Sequence, residues 1–231
     1  MLEDTKLYFT APLRWDQRDW LEFAGTLVAI GAAHGFDDEV RNHFVGDSAD
    51  GLGADDSHDG SDYVPTAVVL AGTWLLSALT DDPGGWREFG SMAESGLFTL
   101  ATTEVLKYTF GRQRPNETTD PDAWFESGDS FPSRHAALAF AVGTVFAESG
   151  NDRYRWVRRG IGYGMATATA YARLDHNAHW ASDVVAGAAL GISTARFTMN
   201  RRQGDPTHHA SATVLPSGDG GIVLTFAVPL D

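Results

Sequence analysis

Residues 171–187 read YARLDHNAHWASDVVAG and set three functional groups in fixed order: Arg173, His179 and Asp183. His179 and Asp183 are four residues apart, a spacing that puts both on one face of a helix, one turn above the other. An aspartate so placed accepts a hydrogen bond from one imidazole nitrogen and leaves the other free to act. Arg173 adds a fixed positive charge on a planar fork of donors. A carboxylate-oriented histidine beside an anion-binding arginine suits nucleophilic attack on a phosphate. Taken alone, a His four residues before an Asp is more often a plain helix pair, so the flanking sequence decides.

On both sides the pattern is helical. Residues 154–172 carry Gly160, Gly162, Gly164, Ala166, Ala168 and Ala170, small enough for close helix packing, and 182–200 carry Val184, Val185, Ala188, Leu190 and Ile192. Upstream, 134–147 is rich in Ala, Val and Phe; Pro132-Ser133 opens it and Gly150 closes it. Residues 86–110 form a long helix stopped at Gly111, after a break at 81–85, DDPGG. Two shorter helices are predicted at 18–33, capped by Asp16, and at 37–45. Residues 63–80, YVPTAVVLAGTWLLSALT, are an uncharged run of 18, at the edge of membrane-spanning length. Pro65, the interspersed Thr and Ser, and the lack of a second such run favour a buried helix of a soluble bundle.

Two segments break the helical pattern. Residues 46–62, GDSADGLGADDSHDGSD, bury no apolar face and read as a flexible acidic loop without the spacing of a calcium-binding EF-hand. The runs 212–215 and 222–228 flank PSGDGG and predict a β-hairpin over about 210–229. The expected fold class is all-α: one helical domain over 1–231, its core motifs at about 90–200, with a small C-terminal hairpin.

With 231 residues, 43% of them apolar, the chain is long enough for one sizeable core. It has no cysteine, which excludes disulfides and thiolate chemistry. A net charge of −14 argues against a nucleic-acid partner, whose phosphates require a basic face. Lys6 and Lys107 are the two lysines, against 31 acidic residues. Glu3 and Asp4 stand where a basic, then apolar, signal peptide would begin.

Lys107 is thus conspicuous, set in an apolar helix that calls for a partner. It begins KYTFGRQRP (107–115), in which Arg114 follows seven residues later. The second cluster is FPSRH (131–135): a helix start whose free N–H groups suit an anion, with Ser133, Arg134 and the proton-transfer group His135. The three clusters together supply what phosphoryl transfer needs: charge for the equatorial oxygens, a nucleophile and an acid.

These stretches resemble the type 2 phosphatidic acid phosphatase superfamily, which includes bacterial acid phosphatases, lipid phosphatases and vanadium haloperoxidases. Its signature is K-x6-R-P, then P-S-G-H, then S-R-x5-H-x3-D. Lys107, Arg114 and Pro115 match the first part; Pro132, Ser133 and His135 the second; Arg173, His179 and Asp183 the third. Arg134 stands for the family glycine and Ala172 for its serine. The backbone N–H that the glycine offers survives in Arg134, and Ala172 removes only a secondary hydroxyl contact.

The resemblance implies a helical-bundle fold and a phosphatase of phosphate monoesters, with lipid phosphates or diphosphates among its substrates. By the same resemblance His179 attacks phosphorus and forms a phosphohistidine, Asp183 orients it, and His135 protonates the leaving alcohol and then activates water. Lys107, Arg114, Ser133, Arg134 and Arg173 bind the phosphate. No metal or cofactor is implied, vanadate entering only as a phosphate mimic or inhibitor; a His176/His179 zinc pair lacks a third ligand of recognisable spacing. A periplasmic or otherwise exported location follows by analogy, with a cytoplasmic one as alternative. Peripheral proximity to a membrane is expected, and the oligomeric state is open. Two other functions stay in view: a vanadate-dependent haloperoxidase and a non-catalytic helical envelope or binding protein.

Overall fold

The computed structural model describes residues 2–45, 60–150, 152–204, 211–216 and 222–227. Its helices are α1 (Leu2–Phe9), α2 (Gln17–His34), α3 (Asp37–Val45), α4 (Val64–Thr80), α5 (Pro83–Phe110), α6 (Arg134–Glu148), α7 (Arg155–Asp175) and α8 (Ala181–Gly204). Local chemistry sets their ends. Asp16 caps α2 through Arg18 and Asp19, and Asp19 answers with the reciprocal bond of a capping box. Asp82 accepts from the N–H groups of Gly84 and Gly85, so α5 starts at Pro83, inside the predicted break; only Asp81, at φ 49°, and the capping Asp82 separate it from α4. Gly111, at φ 49°, ends α5 and donates to Lys107 O.

Helix α6 is the axis of the bundle, with α5, α7 and α8 packed around it. Small residues set these distances. A methyl on Gly143 of α6 would lie 2.6 Å from Gly162 O of α7, and one on Gly187 of α8 would lie 2.5 Å from Ser133 O. Met92, Val142, Val145 and Ala195 form one core cluster. Ala136, Ala170 and Val184, with Phe140 and Leu174 against them, form a second.

The 63–80 run corrects the sequence reading. Helix α4 is not buried: its buried side chains are Thr66, Thr73 and Ser77, while Val68, Leu75, Leu76 and Leu79 are exposed. Those hydroxyl residues share a face, and two of them are satisfied within the helix, Thr73 donating to Val69 O at 2.9 Å and Ser77 to Thr73 O at 2.7 Å. The closely approaching Gly85 of α5 accommodates Ser77. The same polarity recurs elsewhere: Ser95, Thr99, Thr103, Thr144, Thr194 and Thr198 are buried, whereas Leu27, Val28, Leu97 and Val105 are exposed. The segment 61–80 is the one helix, among the described residues, long and apolar enough to cross a membrane.

Strands β1 (Ser211–Pro216) and β2 (Ile222–Ala227) pair antiparallel, from Ser211 opposite Ala227 to Pro216 opposite Ile222. That is the hairpin expected from the sequence, with its turn at 217–221 outside the described residues. Positions 46–59 of the predicted acidic loop also lie outside them.

Candidate active site

Three chain segments bring the motif residues together. Lys107 lies in the last turn of α5 and is buried against the loop before α6. Its ammonium donates to Asp129 O, and the Asp129 carboxylate lies 4.0 Å away. Arg114 grips that same carboxylate with two bonds, Nε to Oδ1 at 2.7 Å and a second nitrogen to Oδ2 at 3.1 Å. Burial pulls the Lys107 amine down to about 8; Asp129 opposes this, while Arg114 adds to it. Burial would raise Asp129, but the Arg114 hydrogen bond and then the Lys107 charge hold it at about 2.

Ser133 caps α6, and its N–H donates to Asp183 O at 3.0 Å, tying α6 to α8. His135, the second residue of α6, is buried with the Tyr63 ring stacked on it at 3.8 Å. The Arg134 side chain turns aside, donating to Tyr63 Oη and to Glu104, both at 2.9 Å. What Arg134 offers an anion is therefore its backbone N–H, one of the unpaired donors of a helix start.

The third segment departs from its predicted geometry. His179 and Asp183 do not share a helix: α7 ends at Asp175 and α8 begins at Ala181, so His179 sits in the connection. Asn177, left-handed at φ 52°, turns the chain, and its side chain donates to Pro115 O. Ala178 and His179 both direct their N–H to Arg173 O. Asp183 lies in the first turn of α8 and accepts from Trp180 N at 2.9 Å, so the carboxylate folds back towards His179. His179 Nδ1 stands 3.7 Å from Asp183 Oδ2. Arg173, fully buried, donates to Asp62 Oδ2 at 2.6 Å, and His176 stands 3.3 Å from that oxygen.

The electrostatics centre on His179. Burial is the largest influence holding it well below the usual imidazole range, followed by the charges of Lys107, Arg114 and Arg173 and by His135. His179 is therefore a neutral imidazole at neutral pH, surrounded by cations. Asp183 is raised by burial and pulled back mainly by Arg112, then Ser130 and Trp180 N. The arrangement suits an oxyanion held by fixed positive charge beside an uncharged nucleophile.

Five residues at or behind the site were missed from sequence: Arg112, Asp129, Ser130, Asp62 and Tyr63. Arg112 and Asp129 were visible as charges inside conspicuous stretches, KYTFGRQRP and ESGDSFPS, but nothing local gives their partners. Asp62 reaches Arg173 across 111 positions, a separation that no spacing rule covers.

The helical bundle with this cation-ringed histidine defines a class. Residues 89–205 match the PAP2 superfamily, and the chain belongs to it. Over 114 residues it is 38% identical to the lipid A 1-phosphatase of Porphyromonas gingivalis, covering 49% of this chain and 21% of that protein. Over 109 residues it is 29% identical to the undecaprenyl-diphosphatase of Sulfolobus acidocaldarius, covering 46% and 51%. The chain thus spans about a fifth and about half of the length of these curated relatives. A crystal structure of Aquifex aeolicus LpxE aligns over 70% of this chain and 93% of that one, at a TM-score of 0.49 and 18% identity.

Proposed function

We propose that this chain is a metal-independent phosphatase of lipid phosphates or lipid diphosphates, acting through a phosphohistidine on His179. The observation that carries the reading is the buried, neutral His179 ringed by Lys107, Arg114, Arg173 and His135. Nδ1 faces Asp183, so Nε2 is the attacking nitrogen. The Nε2–phosphorus bond forms as the ester P–O bond breaks, and His135 gives its proton to the leaving oxygen. His135 then takes a proton from water, whose oxygen displaces His179 and releases phosphate. Lys107, Arg114, Arg173 and the N–H groups at the start of α6 carry the charge of the five-coordinate transition state.

The lipid part of the reading rests on two observations. The curated relatives are named for lipid substrates, lipid A and undecaprenyl diphosphate. The exposed apolar side of α4 starts next to Tyr63, the residue stacked on His135. An apolar helix leading to the leaving-group acid suits an acyl or prenyl chain beside a membrane surface. A membrane-adjacent, exported location is part of the same proposal, and cell fractionation tests it.

The decisive assay compares release of phosphate from a detergent-dispersed lipid phosphate and from p-nitrophenyl phosphate, with EDTA and then with vanadate. Turnover of the lipid that survives EDTA, is inhibited by vanadate and is abolished in His179→Ala is expected. Loss in EDTA, or turnover without His179, refutes the mechanism. Halide oxidation with vanadate and peroxide in place of hydrolysis refutes the assignment.

A further inference from the structure

Arg112 is the most heavily bonded side chain near the site, yet the reaction above makes no use of it. It is fully buried and lies between the Trp124 and Trp180 rings, 4.3 and 5.2 Å from their centres. One terminal nitrogen donates to Asp183 Oδ1 at 2.7 Å and to Ser182 Oγ at 2.8 Å. The other donates to Asp37 Oδ2 at 2.7 Å and to Pro121 O at 2.6 Å; Nε donates to Pro121 O at 3.1 Å. Every guanidinium N–H has a partner, and none is left for a substrate.

The network continues from Asp37, at the start of α3. Its Oδ1 accepts from Ser182 N at 2.8 Å and its Oδ2 from Ser182 Oγ at 2.6 Å. On the far side Asp183 Oδ2 accepts from Ser130 Oγ and Trp180 N and faces His179. Arg112 therefore fixes one oxygen of Asp183 and so aims the other at His179.

We propose that Arg112, braced by Asp37, is a positioning residue that keeps Asp183 ionised and aimed at His179. The inference rests on the proposed phosphohistidine reaction and deepens it. Asp37, Arg112 and Asp183 make a buried triad of net charge −1, suited to the positive charge that His179 gains as Nε2 bonds to phosphorus. Without the guanidinium two carboxylates would share the interior, and one of them would take a proton. Burial already raises Asp183, and Arg112 is the strongest opposing influence. The other charged or titratable groups bearing on Asp183 are His179 and Lys107. Behind Arg112 stand Asp37 and His34, the latter bonded to Asp37 and Asp122.

The test is kinetics of Arg112→Gln, Asp37→Asn and the double variant on the lipid phosphate. In Arg112→Gln kcat should fall about 100-fold, part of what losing the orienting carboxylate of a catalytic histidine costs. KM should stay within about threefold, since Arg112 does not reach the phosphate, and the acid limb of kcat should move up by at least about one pH unit. Adding Asp37→Asn removes the competing carboxylate and should bring the acid limb and part of kcat back. Asp37→Asn alone leaves Arg112 to Asp183 and should move the limb below its wild-type position. If Arg112→Gln does not fold, Asp37→Asn alone decides: with the competing carboxylate gone the acid limb should move down, and a limb unmoved or moved up would overturn the proposal.

A raised KM with kcat intact would make Arg112 a substrate ligand and overturn the proposal. In Arg112→Gln itself, a lowered kcat with the acid limb unmoved, in folded protein that still binds vanadate, would make it structural and overturn it equally. Loss of the whole phosphatase activity in wild-type protein would instead remove the underlying reaction, which separates the two failures.

Discussion

Raising the pH through 8 should switch off one of the three proposed phosphate-binding cations without touching the proposed nucleophile. The Lys107 amine is drawn from 10.5 to about 8, chiefly by burial, whereas His179 lies well below its usual range. The difference of about 2.5 pH units corresponds to about 3 kcal/mol, the cost of keeping the ammonium charged inside the fold. Below pH 8 both folded and unfolded chains hold the proton, and the full penalty is present. Between pH 8 and 10.5 the native amine loses its proton while the unfolded one keeps it, so this group makes the fold more stable as pH rises; above 10.5 the penalty is gone. Activity responds the opposite way: kcat/KM should fall about tenfold per unit above pH 8 as the ammonium disappears. Steady-state rates from pH 6 to 10, on a substrate whose phosphate is fully ionised throughout, test this. Lys107→Arg keeps its charge and should remove the alkaline limb. Lys107→Met should abolish turnover while raising stability in urea at pH 7 by up to about 3 kcal/mol, an increment that should vanish near pH 10.5. A flat wild-type profile to pH 10, or a Lys107→Met protein less stable than wild type at pH 7, would refute the assignment of a desolvated, functional ammonium.

Asp62→Asn removes the carboxylate bonded to Arg173 at 2.6 Å, so phosphate no longer displaces a charged partner. KM and the inhibition constant for inorganic phosphate should drop roughly three- to tenfold with kcat little changed, and stability should drop by about 1–3 kcal/mol; a higher KM would contradict this. Gly187→Ala places a methyl 2.5 Å from Ser133 O and should cost about 1–3 kcal/mol, with a fall in kcat because the helix carrying Asp183 is pushed from the one carrying His135. Gly164→Ala, with nothing within 4 Å of the added carbon, is the control and should be neutral or slightly stabilising by thermal melting.

The parts of the fold that were legible are those decided within a few residues. Asp16, Gly111 and Ser133 mark helix ends because a cap is a local bond between a side chain or a backbone turn and the nearest N–H or C=O groups. The motif spacings likewise put Lys107, Arg114, His135, Arg173 and His179 in one place. What spacing did not reveal was direction. The four-residue step from His179 to Asp183 is met by a loop and a helix start, because left-handed Asn177 turns the chain between α7 and α8. Helix α4 reads as apolar in sum, but Thr66, Thr73 and Ser77 fall at intervals of seven and four. That stripe faces inward, and only packing against α5 and α6 makes it the buried side.

The site also answers a tension in the composition. A chain with 31 acidic and 17 basic residues places Lys107, Arg112, Arg114 and Arg173 inside one region, all of them buried or nearly so. Bare cations cannot be stored there, because each would lose hydration without return. Every one of the four has a carboxylate partner, and these partners differ in kind. Asp37 and Asp183 are wholly buried and locked into the Arg112 network, so a phosphate cannot displace them. Asp129 is more than half exposed, while the Asp62 side chain, in the short turn that enters α4, is only 9% exposed. In the proposed reaction these two hold Arg114, Lys107 and Arg173 in place until phosphate arrives, which exchanges with Asp129 by moving an exposed side chain and with Asp62 by shifting the short turn before α4. The pair bonded to Arg112 sets the charge behind His179, and the other pair competes with phosphate for the proposed binding cations, which is why Asp62→Asn should act on KM and Arg112→Gln on kcat.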